Sequence, residues 1–139
     1  MAEIREVKQD DVLCITHLMG ELGFPTTIEQ MKIRLNTIQS HPDYQTFVAV
    51  RDRKVIGMIG LFTGLLFNKD GRCCRVISLV VDQAYRGEGI GKLLLIEAEK
   101  WAEQQGVIYI LLNSGNQEGR RGAMNFINEW DMRMTVQAL

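Results

Sequence analysis

The chain has 139 residues, of which 46% are hydrophobic and 24% charged, and this size and balance predict one domain spanning residues 1–139. Its net charge of −1 argues against a nucleic-acid partner, which would call for a basic excess. No apolar run reaches the roughly 20 residues of a membrane helix, and the charged start argues against a signal peptide. We therefore expect a cytoplasmic protein that contacts neither nucleic acid nor membrane.

Cysteine and histidine usage indicates neither a disulfide framework nor a bound metal. The three cysteines, Cys14, Cys73 and Cys74, are odd in number and lack the spacing of a disulfide-rich domain. His17 and His41 lie far apart, and no carboxylate or cysteine cluster gives either of them a metal-ligand spacing. We therefore expect reduced cysteines and no metal.

Apolar spacing predicts a strand followed by two helices in the first third of the chain. Alternating apolar and charged residues indicate the strand, and apolar residues three and four positions apart indicate helices that begin at capping residues. Gly23 ends the first helix, and the run His41-Pro42-Asp43 ends the second. The expected elements are a strand over Ile4–Lys8, a helix over Val12–Leu22 capped by Asp10 or Asp11, and a helix over Ile28–Ile38 capped by Thr26 or Thr27.

The rest of the chain predicts mainly strands, with a long helix and a last shorter one. The expected elements are strands over Thr46–Arg51, Val55–Phe67 and Arg72–Val81, a helix from about Gly89 to Gln105, a strand over Val107–Leu112 and a helix from Arg120 to about Trp130. A final strand over Met132–Val136 is left open. The order β-α-α-β-β-β-α-β-α predicts an α/β fold, in the α+β sense of a mixed sheet, with antiparallel hairpins before one parallel crossover.

A glycine-rich turn between a buried strand and a helix, within residues 79–92, is the most informative segment. Its three glycines permit unusual backbone angles and a close approach by a ligand. Free N–H groups and the dipole at the helix start favour a phosphate. Arg86 and Lys92 add positive charge. The segment therefore predicts a phosphate-binding turn.

The two common nucleotide-binding motifs do not fit this turn. A Walker P-loop needs a glycine five residues before its Gly-Lys pair and then Ser or Thr. Here the pair Gly91-Lys92 is followed by Leu93, and the earlier position holds Arg86. A dinucleotide fingerprint needs its third glycine at the position of Lys92.

The turn resembles the coenzyme A signature of the GNAT acetyltransferases, in which Arg or Gln is followed by two residues, Gly, one residue, and Gly or Ala. Those positions are Arg86, Gly89 and Gly91 here. The preceding Val-Val-Asp strand end, the following leucine-rich helix and the order of elements match as well, so the resemblance runs from Ile4 to about Trp130. It implies the GNAT acyl-CoA N-acyltransferase fold with a shortened C-terminal end.

The resemblance implies an N-acetyltransferase with acetyl-CoA as co-substrate and no metal. Acetyl-CoA would lie where the fourth and fifth strands splay apart, and an acceptor amine would attack the thioester directly. A backbone N–H near Leu79 or Val80 would stabilise the oxyanion. The residues implied to bind the coenzyme are Leu79, Val80, Val81, Arg86, Gly87, Glu88, Gly89, Ile90, Gly91, Lys92, Asn113 and Asn116.

The sequence departs from the family pattern at the proton-transfer positions. The fourth strand carries no carboxylate, so we predict Glu21 as the general base. The family's leaving-group tyrosine follows an alanine, which matches Ala123, but the tyrosine position holds Ile127. Three readings stay open: the thiolate leaves without a side-chain acid, the enzyme is impaired, or its C-terminal end is truncated or altered.

The sequence does not name the acceptor. The resemblance implies a primary amine of a small molecule or peptide, and it places the acceptor wall at residues 20–27, between the first two helices, where Glu21, Leu22, Phe24 and Pro25 would line it. One alternative is a regulator or degenerate enzyme that binds acetyl-CoA without turnover. Another is a structural module whose sheet edge pairs with a second copy, which leaves a homodimer open.

Overall fold

A computed structural model describes residues 2–67 and 70–112, and the sheet at its centre positions everything else. Within these residues it contains five strands and three helices. The strands are β1 (Glu3–Glu6), β2 (Tyr44–Arg51), β3 (Lys54–Leu65), β4 (Arg72–Val81) and β5 (Val107–Leu112), and the helices are α1 (Val12–Leu22), α2 (Ile28–Gln39) and α3 (Ile90–Gln104).

The sheet has the strand order β1-β2-β3-β4-β5. The first four strands pair antiparallel, and β5 joins β4 in parallel after the crossover through α3. The predicted mixed α/β fold and the order of elements through β5 are thereby confirmed. The predicted helix over residues 120–130 and the strand over residues 132–136 lie outside the described residues.

At the start of β2 and the end of β3, local packing accounts for a difference of two residues from the predicted boundary. β2 begins two residues earlier, at Tyr44, whose ring lies 4.8 Å from the ring of Phe62 on β3. β3 ends at Leu65 instead of Phe67, and both of these side chains are exposed. Phe67 has no apolar packing to hold it in the sheet, so the extended apolar run overstated the length of the strand.

Asp11 precedes α1, but its side chain does not cap that helix as predicted. Instead its carboxylate accepts a hydrogen bond from the N–H of Lys8 at 2.7 Å and pairs with both terminal nitrogens of Arg5 at 2.9 Å. These contacts end β1 early and tie it to the start of α1. The predicted cap of α2 is confirmed at Thr27, whose hydroxyl accepts the N–H of Gln30 at 3.1 Å.

The Asp11 contacts predict a pH-dependent contribution to stability. Burial alone would raise the pKa of Asp11, but the hydrogen bonds from Arg5 and Lys8 outweigh it and hold the pKa below its usual value. A lowered folded-state pKa stabilises the fold above the unfolded-state pKa, and that gain is lost as the pH falls through the folded-state value. We expect Asp11→Asn to lower the free energy of unfolding by about 1–2 kcal/mol near pH 7. Urea denaturation should show the deficit shrinking towards about pH 3; a constant deficit would contradict the ion pair as its cause.

Helices cover both faces of the sheet. α1 and α2 pack on one face through a core that includes Leu18, Leu35 and Val48, whereas α3 packs on the other through a core that includes Ile59 and Leu94. Among the described residues, no helix is both long and apolar enough to span a membrane.

Gly57 allows α3 to lie directly on the sheet. A Cβ atom at this position would lie 3.3 Å from Ile90 Cγ2, 3.3 Å from the Val80 carbonyl oxygen and 3.4 Å from Leu94 Cδ1. The first turn of α3 is therefore seated against β3 and β4, which fixes the direction in which its free N–H groups point.

Candidate active site

The segment from Asp82 to Lys92, called the glycine turn below, joins β4 to α3. A short 3-10 turn over Gln83–Tyr85 opens it. Gly87 and Gly89 then take φ angles of +82° and +81°, which side chains rarely adopt, and no atom lies within 4 Å of where their Cβ atoms would be. These two glycines are needed for the path of the backbone, as the sequence predicted.

Backbone hydrogen bonds divide the glycine turn into a fixed part and an open part. The N–H of Gln83 donates to Glu21 Oε1 at 2.8 Å, that of Ala84 donates to Asp82 Oδ1 at 2.9 Å, and that of Tyr85 donates to the Asp82 carbonyl at 2.9 Å. Across residues 2–67 and 70–112, no acceptor takes the N–H groups of residues 86–92. This open series, called the anion cradle below, ends at the first turn of α3, and such a geometry suits an anion.

The edge of β4 that follows its pairing with β5 is also open. Within the described part of the chain, β5 pairs only with residues 72–76 of β4, which leaves residues 77–81, called the open edge below, without a strand partner on that side. The N–H of Asp82 donates to Ile56 of β3 at 2.7 Å. Backbone groups alternate along a strand, so those of Val80 face β3, whereas those of Leu79 and Val81 face the open edge.

This register distinguishes two residues that the sequence left as alternatives. Leu79 has its N–H on the open edge, where a bound ligand can accept it. Val80 has its N–H committed to the β3 side. Val81 presents its carbonyl on the open edge, and Arg86 Nε donates to that oxygen at 3.0 Å.

Basic side chains surround the glycine turn. Arg86 and Lys92 are two of these side chains, and Arg51 is a third. The Arg51 guanidinium lies 5.6 Å from the ring centroid of Tyr85 and pairs with Glu88 at 2.6 Å. This hydrogen bond raises the pKa of Arg51. It also offsets the one acidic charge that the sequence places among residues 86–92. The sequence analysis did not identify Arg51 as a site residue. The available signal was a basic residue at the end of a predicted strand.

Three polar side chains converge beside the 3-10 turn. His17 Nε2 lies 2.7 Å from Glu21 Oε2 and 3.4 Å from Asp82 Oδ2. The sequence showed no metal-ligand spacing around either histidine, yet the fold brings one ligand atom from each of these three residues within 4.8 Å of the others. The second oxygen of each carboxylate holds the backbone of the glycine turn, which gives the cluster a structural role.

The segment between α1 and α2 is divided between core and surface. Leu22, predicted to line the acceptor wall, is instead buried in the core that α1 and α2 form with the sheet. Phe24 is 54% exposed, Ile28 is 42% exposed and Pro25 is also exposed, so these three apolar side chains are available to a ligand. The predicted residues Asn113 and Asn116 lie outside the described residues, as does Ile127.

A mixed sheet that opens between its parallel strands, beside a turn lined with free N–H groups, is the architecture of the GNAT acyltransferases. The sequence matches the family model described as the Acetyltransferase (GNAT) family over residues 13–128, and the chain therefore belongs to that family.

Individual relatives agree with this assignment. An uncharacterised N-acetyltransferase of Bacillus subtilis, YhdJ, is 27% identical over 121 residues, which is 87% of this chain and 82% of the relative. The crystal structure of a GNAT family acetyltransferase from Staphylococcus aureus is 29% identical, with a TM-score of 0.76 over 85% of this chain and 90% of that chain. A transcriptional regulator from Bacillus halodurans shares the fold at 19% identity, with a TM-score of 0.82 over 94% and 91% of the two chains.

Proposed function

We propose that this acetyltransferase moves the acetyl group of acetyl-CoA onto a primary amine of a small molecule or peptide, by direct attack. The observation that carries the proposal is the open series of N–H groups at residues 86–92, placed next to the open edge of β4. The first feature suits a pyrophosphate, and the second suits the amide groups of a pantetheine arm.

Acetyl-CoA would supply an activated acetyl group as a thioester. The N–H groups of residues 86–92 would hold its pyrophosphate, with Arg86 and Lys92 adding positive charge. Backbone groups of Leu79 and Val81 would pair with the pantetheine arm. Among the predicted coenzyme contacts, Val80 would then contribute packing rather than a hydrogen bond.

Leu79 would stabilise the transition state through its N–H. The amine nitrogen forms a bond to the acetyl carbon as the carbon–sulfur bond breaks, and negative charge grows on the thioester oxygen. A fixed N–H aimed at that oxygen lowers the barrier. The amine loses a proton to a base, and the departing thiolate takes up a proton.

Direct attack agrees with the burial of Cys74 on β4. All three cysteines are free. Burial, with a smaller contribution from Cys73, raises the pKa of the Cys74 thiol to about 12. Cys74 is therefore protonated at neutral pH and unsuited to form an acyl-enzyme. A cytoplasmic location, where thiols stay reduced, is part of the same proposal.

Thermal unfolding with millimolar acetyl-CoA tests the coenzyme site. A ligand that binds only the folded state stabilises it by about 2.7 kcal/mol at a hundredfold excess over its Kd, so we expect a clear rise in Tm. S-acetylpantetheine, which lacks the pyrophosphate-bearing half of acetyl-CoA, is the matched comparison and should give a much smaller rise. An unchanged Tm with acetyl-CoA would overturn the proposal.

Thiol release from acetyl-CoA over a panel of amines then tests the chemistry. Release that depends on one class of amine supports the transferase and identifies its acceptor. If the protein binds acetyl-CoA but releases no thiol with any amine of the panel, the alternative of a regulator without turnover would be favoured.

A further inference from the structure

The Glu21 carboxylate connects α1 to the beginning of the glycine turn. Its Oε1 accepts the Gln83 N–H at 2.8 Å, and its Oε2 lies 2.7 Å from His17 Nε2. The side chain is only 15% exposed. Glu21 is the next-to-last residue of α1, which Gly23 closes with a φ of 105°, so the carboxylate is held at a fixed point of the helix end.

Glu21 is distinct among the groups that fix the 3-10 turn. Asp82 accepts the N–H groups of Ala84 and Tyr85, but Asp82 belongs to the same local segment. In the described residues, Glu21 is the acceptor for this turn that comes from another element. Its loss would leave the Gln83 N–H without that acceptor, and the contact of His17 with Asp82 at 3.4 Å would remain between α1 and the glycine turn.

The position of the turn determines where the open N–H groups begin. Residues 83–85 have their N–H groups occupied, and the open series starts at Arg86. A shift at Gln83 is therefore passed directly to the anion cradle. The same helix end leads into the segment that carries Phe24, so one carboxylate ties the glycine turn to the candidate acceptor wall.

We propose that Glu21 is a positioning residue for acetyl-CoA and not the general base that the sequence predicted. The inference rests on the proposed function of the glycine turn. Both carboxylate oxygens already face partners, and Arg86 lies 3.7 Å from Oε1. A general base needs an available lone pair directed at the amine or at a linking water. A positioning residue needs contacts such as those that Glu21 makes with the glycine turn.

Substituting Glu21 by Gln and by Ala separates the two roles. The Gln83 N–H keeps an acceptor in Glu21→Gln and loses it in Glu21→Ala. As a positioning residue, Glu21→Ala should raise the acetyl-CoA Kd measured by calorimetry, and the KM for acetyl-CoA, by about tenfold. For Glu21→Gln, the Kd and kcat should stay within about threefold of the wild-type values, and the pH profile of kcat should keep its shape. Glu103→Ala, an exposed glutamate near the far end of α3, is the matched control and should match the wild type.

The opposite pattern would overturn the inference. A general base would make Glu21→Gln and Glu21→Ala lose kcat alike, by about a hundredfold or more, with an unchanged Kd. A Glu21→Ala variant that binds acetyl-CoA as the wild type does would also overturn it. A wild-type protein that bound no acetyl-CoA would be a different result, because it would remove the proposed function itself.

A proline at position 83 tests the same hydrogen bond from its donor side. Proline has no N–H, and it fits the first position of a helical turn. Asp82 has φ −51° and ψ 135°, which is compatible with a following proline. In a Gln83→Pro background, Glu21→Ala should raise the Kd by less than about threefold further. A full tenfold loss there would show that Glu21 acts through another contact.

Discussion

Gly91→Asp is expected to abolish acetyl-CoA binding while leaving the fold at least as stable as before. Gly91 lies in the first turn of α3, where its backbone has ordinary helical angles, and a Cβ would meet only Val81 Cγ2, at 3.9 Å. Replacing a helical glycine by Asp, itself a weak helix former, gains only about a few tenths of a kcal/mol. A carboxylate near a helix N-terminus gains a further few tenths.

The same carboxylate opposes the pyrophosphate in two ways. It can accept the free N–H groups itself, and it repels a second anion. Two charges about 4 Å apart interact by about 4 kcal/mol at an effective dielectric constant near 20. We therefore expect the Kd for acetyl-CoA to rise at least about a hundredfold, measured by calorimetry and by loss of the Tm rise.

Gly91→Asn is the matched control, since it has nearly the same shape without the charge. It should retain most of the affinity. If Gly91→Asp and the wild type showed the same Tm rise with acetyl-CoA, no phosphate would lie at the start of α3. Gly89→Asp is the less informative variant, because a φ of +81° adds backbone strain to the effect of charge.

The glycine turn was predictable from sequence because its requirements are local. Glycine at positions 87 and 89 is imposed by the sign of φ, and the open N–H groups follow from the start of a helix. The sheet was predictable as well, through the change from helical spacing to alternation after Asp43. The family resemblance supplied the ligand.

The details of the site depend on contacts between distant residues. His17 and Glu21 are four residues apart on one helix, a spacing that places them together, but nothing local indicates that Asp82 joins them. The choice between Leu79 and Val80 depends on the β3–β4 register, which shifts between Gly60 and Leu61. A one-residue slip reverses which backbone groups face the open edge, and the sequence does not determine it.

Leu94→Ala is expected to cost the most stability of the substitutions considered. Leu94 is fully buried in the core between α3 and the sheet. Removing a buried leucine side chain loses its transfer free energy and leaves a cavity, at a cost of about 2–5 kcal/mol. Urea denaturation should place the loss near 3 kcal/mol. Leu13→Ala, the same change at a residue that is 63% exposed on α1, should cost under about 0.5 kcal/mol.

A second substitution tests the cavity left by Leu94→Ala, because Leu94 Cδ1 is one of the atoms that crowd position 57. Gly57→Ala alone should destabilise the fold by about 1 kcal/mol, since its Cβ would lie 3.3–3.4 Å from Ile90, Val80 and Leu94. In the Leu94→Ala background the Cδ1 atom is gone, so the added methyl partly fills the cavity and the Gly57→Ala penalty should shrink or reverse. Additive losses would mean that the added methyl group is crowded by the carbonyl oxygen of Val80 and not by Leu94. The backbone of β4 would then determine how closely α3 approaches the sheet.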